Sequence, residues 1–339
     1  MLAGTWIALA AIASPAALAA AKAYRIVDRI QVGGEGGWDL LTIDAANHRL
    51  YYGRGTRMQV LDLEHGKVLG EIPDTPGIHG VALAPDLGRG FTSNGRDSSV
   101  TIFDLATLAP IARVKLDASN PDAILYEPTT HRVFTLNAGT ANATALDAAS
   151  GQVLGNLALG GRPEFAVADG HGLVYVNLED SSAVVAFDAQ SLKVASHWPL
   201  APGEEPSGLA LDAAHHRLFS VCANQKMIVL DTATGKVVAS LPIGKGTDGS
   251  AFDPETGLAF SSNGEGTLTV VHEDAPDRFT VVAEVPTQAR ARTMALDPRT
   301  HRIYLATARY GQAPAATPEN PRPRAPMVPG SFEILVLAR

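Results

Sequence analysis

The sequence predicts an all-β chain folded as a seven-bladed β-propeller with four-stranded blades, and three observations carry that reading. A strand–turn–strand pattern recurs, with an aromatic residue on its second strand at Tyr51, Phe91, Phe134, Tyr175, Phe219, Phe260 and Tyr304. Successive copies lie 40, 43, 41, 44, 41 and 44 residues apart. A period this regular marks stacked units, none of which can bury its apolar faces alone. Between the copies, short β-rich runs are bounded by Gly, Asn, Asp and Pro, which accept the backbone angles of tight turns. Finally, the last unit is one strand short, while a spare strand precedes the first unit.

The first complete unit shows how a blade is written. Strand a is predicted over residues 39–44, strand b over 49–53, strand c over 58–62 and strand d over 67–72, with turns at Asn47-His48 and Glu64-His65-Gly66. Strand c ends in an apolar residue and Asp at Leu61-Asp62, Phe103-Asp104, Leu146-Asp147, Phe187-Asp188 and Leu230-Asp231. An Asp there can accept backbone N–H groups of the following turn, so the column reads as structural. In the last unit, residues 292–297, 301–307 and 331–337 supply strands a, b and c. Residues 24–31 match strand d in length and alternation, so pairing the two chain ends closes the ring and removes an open edge.

The recurring segments Phe91-Thr92-Ser93-Asn94-Gly95, Phe134-Thr135-Leu136-Asn137 and Phe260-Ser261-Ser262-Asn263-Gly264 stand beside Asp-Pro turns and Asp-x-x-Thr-Gly-Lys turns. Together they resemble the YVTN-repeat, or YncE-like, β-propeller family over residues 24–339. That resemblance implies a seven-bladed, often periplasmic or surface protein, and little about chemistry, because the family shares no single reaction. Blade 1, with Tyr51-Tyr52-Gly53, and blade 4, with a shortened Tyr175-Val176-Asn177, depart from the pattern.

Residues 1–23 read as a secretory signal, with an apolar run, a Ser14-Pro15 break and small-x-small cleavage sites, although no Lys or Arg precedes the run. The expected mature chain, 24–339, is one exported propeller, periplasmic or secreted and monomeric. A net charge of −8 disfavours nucleic acid, which demands Lys and Arg to displace counterions. The lone Cys222 allows no internal disulfide and reads as a buried small residue.

Propellers bind ligands at the mouth of the central channel, on the face of the d–a and b–c connections. Counting back twelve residues from each aromatic, and eleven in blade 4, gives Asp39, His79, Asp122, Glu164, Ser207, Asp248 and Arg292. Asp39, Asp122, Glu164 and Asp248 could hold a divalent cation: oxygen ligands suit Ca²⁺, Mg²⁺ or Mn²⁺, and His79 leaves room for Zn²⁺. The same column would equally line a hydrated mouth. His79, Arg292 and Ser207, with Arg54, Arg96, Arg309 and Tyr310 of the b–c loops, form the expected binding set for a protein, peptide or small ligand. A Pro-rich b–c loop at 311–330, containing Arg322 and Arg324, reads as a lid or docking arm. The histidines at 48, 131, 171, 215, 216 and 301 fall in a–b turns on the opposite face and read as turn residues. No nucleophile elbow, phosphate-binding loop or H-E-x-x-H motif occurs. The favoured function is therefore a non-enzymatic binding scaffold, and the alternative a metal-dependent hydrolase or lyase of lactonase type.

Overall fold

The computed structural model describes residues 24–317 and 323–339. Seven separate sheets, each of four antiparallel strands, follow one another along the chain. Six of them use consecutive strands, as in Leu41–Asp44, Arg49–Gly53, Met58–Asp62 and Lys67–Ile72 of blade 1. The seventh sets Met294–Asp297, Arg302–Thr307 and Glu333–Ala338 beside the N-terminal strand Arg25–Gln31. The ring thus closes by pairing the two ends of the chain, as the sequence predicts. Residues 1–23, the expected signal segment, lie outside the described residues. Among the described residues no helix is long and apolar enough to cross a membrane.

Alternation writes the core. Strands b and c are buried on both faces, whereas outer d strands such as Pro110–Lys115 are mostly exposed. The apolar side chains gather into seven clusters, and each cluster straddles two neighbouring blades. Tyr51, Met58 and Val60 of blade 1, for example, pack with Val81, Phe103 and Leu105 of blade 2. No blade owns a core, which is why a single unit would not stand alone.

Two polar devices fix the blades. On the turn face, Arg49, Arg89, Arg132 and Arg217 at the start of strand b reach carbonyls in the c–d turn of the next blade. At the other end of strand b, Asn94, Asn137 and Asn263 are fully buried. Asn94 accepts from Thr92 and donates to Ser99 and Thr101, and the other two repeat the arrangement. The recurring Thr/Ser-x-Asn is therefore a satisfied internal network, which a buried amide requires. The strand-c Asp column accepts turn N–H groups throughout, as at Asp104 with Ala106 and Thr107 and at Asp231 with Ala233 and Thr234. Cys222 is buried, and burial pushes its thiol up to about 11.

Candidate functional site at the channel mouth

The b–c and d–a connections share one face, tied together by backbone bonds such as Gly95 to Gly77, Ala138 to Asn120 and Gly264 to Gly246. On this face the strand-a column converges by a repeated local distortion. In blades 2 to 6 the pairing of strands a and b slips between Ile78 and Val81, Pro121 and Ile124, Pro163 and Ala166, Pro206 and Leu209, and Thr247 and Gly249. His79, Asp122, Glu164, Ser207 and Asp248 fall inside these irregularities. A bulge frees its residue from the ladder and re-aims the side chain, here toward the axis. In blades 1 and 7 the ladder starts later, at Leu41 and Met294, which leaves Asp39 and Arg292 ahead of it.

The preceding blade then holds four of the column residues by their carbonyls. The amide of Leu40 donates to His79, the Ser93 hydroxyl to Asp122, the Asn177 amide to Ser207, and both Gly249 and the Ser262 hydroxyl to Arg292. The shortened blade 4 thus spends its Asn177 across the blade boundary rather than on its own strand.

A cavity of about 420 Å³ results, lined by Asp39, Asp122, Glu164, Ser207, Asp248 and Arg292. Arg162, Glu179 and Glu205 also face it. His79 Nδ1 lies 2.6 Å from Asp39 and 3.3 Å from Asp122, and the Asn120 side chain bonds the ring as well. Gly95 makes room for it, since a Cβ there would sit 2.6 Å from both His79 Nε2 and Asn120 Oδ1. Arg162 bridges Glu164 at 3.1 Å and Glu179 at 2.8 Å, and Arg292 approaches Asp248 at 3.3 Å.

Six carboxylates therefore face three cations, His79, Arg162 and Arg292. Burial works against the charged His79, yet the Asp39 hydrogen bond and the Asp122 charge outweigh it and raise its affinity for a proton. Burial also lifts Asp122, with Asp39 adding to the effect and His79 opposing it. Asp248 is pushed up to about 6 by burial, against the pull of Arg292. Glu164 reaches about 8 through burial, the Asp122 charge and its contact with Glu179. Carboxyls held this high signal burial first and, after it, neighbouring negative charge that the surrounding cations only partly offset.

A second cavity of about 540 Å³ adjoins the first through Asp39 and Arg292. Trp38, Tyr310, Arg290 and Arg324 line it, and the Arg290 guanidinium stacks 3.8 Å over the Tyr310 ring. The Pro-rich loop is zipped at its base by Gly311 to Pro326 and Val328 to Arg309 backbone bonds, which bring Arg324 to this wall. Pro318, Pro321 and Arg322 of that loop lie outside the described residues.

The b–c loop residues scatter. Arg54 is only 1% exposed, donating to the Gly33 carbonyl with its guanidinium 3.9 Å above Phe332. It supports the rim from beneath rather than facing the cavity. Arg96 and Arg309 are exposed and line neither cavity.

The column reading misses Arg162, Glu205 and Arg290. A signal for Glu205 and Arg290 exists two residues upstream of five column members, where Gly77, Asn120, Glu205, Gly246 and Arg290 turn the chain with positive φ; Arg162 carries no such mark. Glu205 at +49° and Arg290 at +69° are uncommon non-glycine occupants of that region.

No protein-family model matches the chain, and no curated protein does. Solved structures do. The RRP9 WD40 repeats cover 93% of this chain and 99% of their own, with TM-score 0.78 and 10% identity. A chain of the mitotic checkpoint complex covers 100% and 96%, with TM-score 0.74 and 10% identity. A chain of Kuenenia stuttgartiensis hydrazine synthase covers 81% and 94%, with TM-score 0.71 and 17% identity. At such identities the likeness is one of fold.

Proposed function

We propose that this chain is an exported, monomeric, YVTN/YncE-like propeller that acts as a binding scaffold. Its channel mouth seats a positively charged group of a protein, peptide or small ligand. The observation that carries this is convergence: Asp39, Asp122, Glu164, Glu179, Glu205 and Asp248 surround one open cavity, with His79, Arg162 and Arg292 as its cations among the described residues. An incoming cation offsets the burial and the neighbouring carboxylate charge that raise Asp248 and Glu164 above their ordinary range. The adjoining cavity, with its Arg290–Tyr310 stack and Trp38, offers apolar area and positive charge to the rest of the ligand. The WD40 repeats and the checkpoint assembly among the similar structures agree with a scaffold role by analogy of fold alone.

The test is calorimetric titration with a small diamine and with a Lys-containing peptide amide. Binding to the wild type that Asp122→Asn/Asp248→Asn abolishes supports the reading. Equal affinity for the variant, or no binding of either probe, removes it.

One observation favours a second reading, a metal-dependent hydrolase or lyase of lactonase type. Ligand atoms of Asp39, His79 and Asp122 all lie within 4.8 Å of one another, a spacing that one divalent ion can bridge. Taking the ion would release the proton now shared between His79 and the two carboxylates. This reading expects about one equivalent of a divalent ion in protein purified without chelator, lost in Asp122→Ala/Asp248→Ala, together with turnover of lactones or esters.

A further inference from the structure

On the opposite face, blade 6 breaks the repeat at one place. In blades 1 to 5 strand c stops at its Asp and turns, as at Asp147 and Asp231. Blade 6 has His272 at that position, and its strand c runs on to Ala275 as the nine-residue Thr267–Ala275. The extended hairpin pairs Glu273 with Phe279 and Ala275 with Arg278. It carries the Glu273 side chain, 4% exposed, onto the a–b turn of blade 5.

That turn contributes Asp212, 3% exposed, and His215 three residues later. His215 Nδ1 lies 2.6 Å from Asp212 Oδ2 and 3.2 Å from Glu273 Oε1. One ring nitrogen carries at most one hydrogen, and the shorter contact takes it. Glu273 Oε1, buried and without a hydrogen-bond donor, then faces a cavity of about 420 Å³ that Asp212 and His215 also line. Two carboxylates buried side by side share one imidazole, which leaves a place that a proton or a cation must fill.

We infer that Asp212, His215 and Glu273 form a binding site for a transition-metal divalent cation, Zn²⁺ or Mn²⁺, clamping blade 5 to blade 6. One ligand atom from each residue lies within 4.8 Å of the other two. An imidazole with two carboxylates suits a first-row ion, and the half-exposed His215 leaves its solvent side open for water. Blade 1 supplies an internal contrast. Asp62 and His65 make the same Asp-x-x-His turn contact at 2.7 Å, but the only further carboxylate in that cluster is the exposed Glu64 of the same turn. The turn alone is a solvated ion pair, and the extension of blade 6 is what completes a ligand set. The sequence shows the His272 departure but not that Glu273 reaches across to another blade.

The test is Zn²⁺ titration of the full chain at about pH 7.5, where the imidazole ligand is available, by calorimetry and by melting temperature. Glu273→Gln, His215→Asn and Asp122→Asn are compared with the wild type. Zn²⁺ should raise the melting temperature by binding the native state alone. One equivalent should weaken more than about 100-fold in Glu273→Gln and in His215→Asn, beyond the cost of losing an outer partner, while Asp122→Asn keeps it. Far-UV circular dichroism in chelator checks the fold of each variant. His215 is half exposed, so its variant carries the test if Glu273→Gln misfolds. Equal Zn²⁺ stoichiometry and affinity in the wild type and in the folded His215 or Glu273 variants would overturn the site. The channel-mouth reading stands or falls separately, on Asp122 and Asp248.

Discussion

Strand a of blade 6, Thr247–Asp253, carries a carboxylate near each end, fully buried at Asp253 and mostly buried at Asp248. At the turn end, Asp253 accepts from the Glu255 amide and the Thr256 hydroxyl and meets His301 of the next blade at 2.8 Å. At the mouth end, Asp248 has Arg292 at 3.3 Å, more than half exposed, and otherwise faces other carboxylates. The residue type is the same and so is the strand, but the donors differ. Where the backbone turns, it presents N–H groups that a carboxylate satisfies. Where strands converge on an axis, side chains meet one another instead, and burial raises their pKa.

The largest expected effect tests the turn end. Asp253→Ala strands His301 and two turn donors, and should cost about 3 kcal/mol in urea unfolding. A loss under about 1 kcal/mol would mean that solvent replaces these partners. The same chemistry at the mouth end has the opposite sign. Asp248→Asn removes a carboxylate whose pKa is about 6 in the fold. Because the folded group binds its proton more tightly than the unfolded chain does, its contribution falls as pH rises through that range. The variant should therefore gain about 1 kcal/mol over the wild type above about pH 7, and little near pH 4. A loss at neutral pH would show that Arg292 compensates Asp248 fully.

The fold was legible because it is written in repetition. Tyr51 to Tyr304 mark seven periods, and the spare strand at 25–31 answers the missing one. The column of channel-mouth positions was legible for the same reason, since an offset of eleven or twelve from the aromatic lands on the bulge in blades 2 to 6 and just ahead of the ladder in blades 1 and 7. Other features follow no period. Arg54 reads like its neighbour Arg57, but only the packing of Phe332 against it places it beneath the rim. Arg162 pairs with Glu164 of strand a and with Glu179 of the b–c loop, a contact that no local pattern specifies. Charge state is the least legible of all, because it depends on distances across the ring.

Smaller effects sharpen the contrast. Ser150 donates to Asp147 through its amide and its hydroxyl, and these bonds lower the Asp147 pKa. Its stabilisation is present at neutral pH and is lost as acid protonates it. Asp147→Ala should cost about 1 kcal/mol near pH 7 and nothing once the wild-type carboxylate is protonated, as followed by thermal melts across the acid range. The smallest effect belongs to the rim: Arg96→Ala should change stability by less than about 0.5 kcal/mol, since the side chain is exposed. A larger loss by urea unfolding would show that it holds the loop.

A cation-seating mouth requires carboxylates held together with too little positive charge. Melting temperature against pH, from about 5 to about 8.5, for the wild type and for Glu164→Gln/Asp248→Asn measures this directly. Glu164 keeps its proton up to about 8 in the fold. The wild type should therefore lose ground to the double variant steadily across that range, by about 2 kcal/mol or more at its upper end. Parallel curves would contradict the account, leaving Glu164 and Asp248 as ordinary solvated carboxylates in a hydrated mouth.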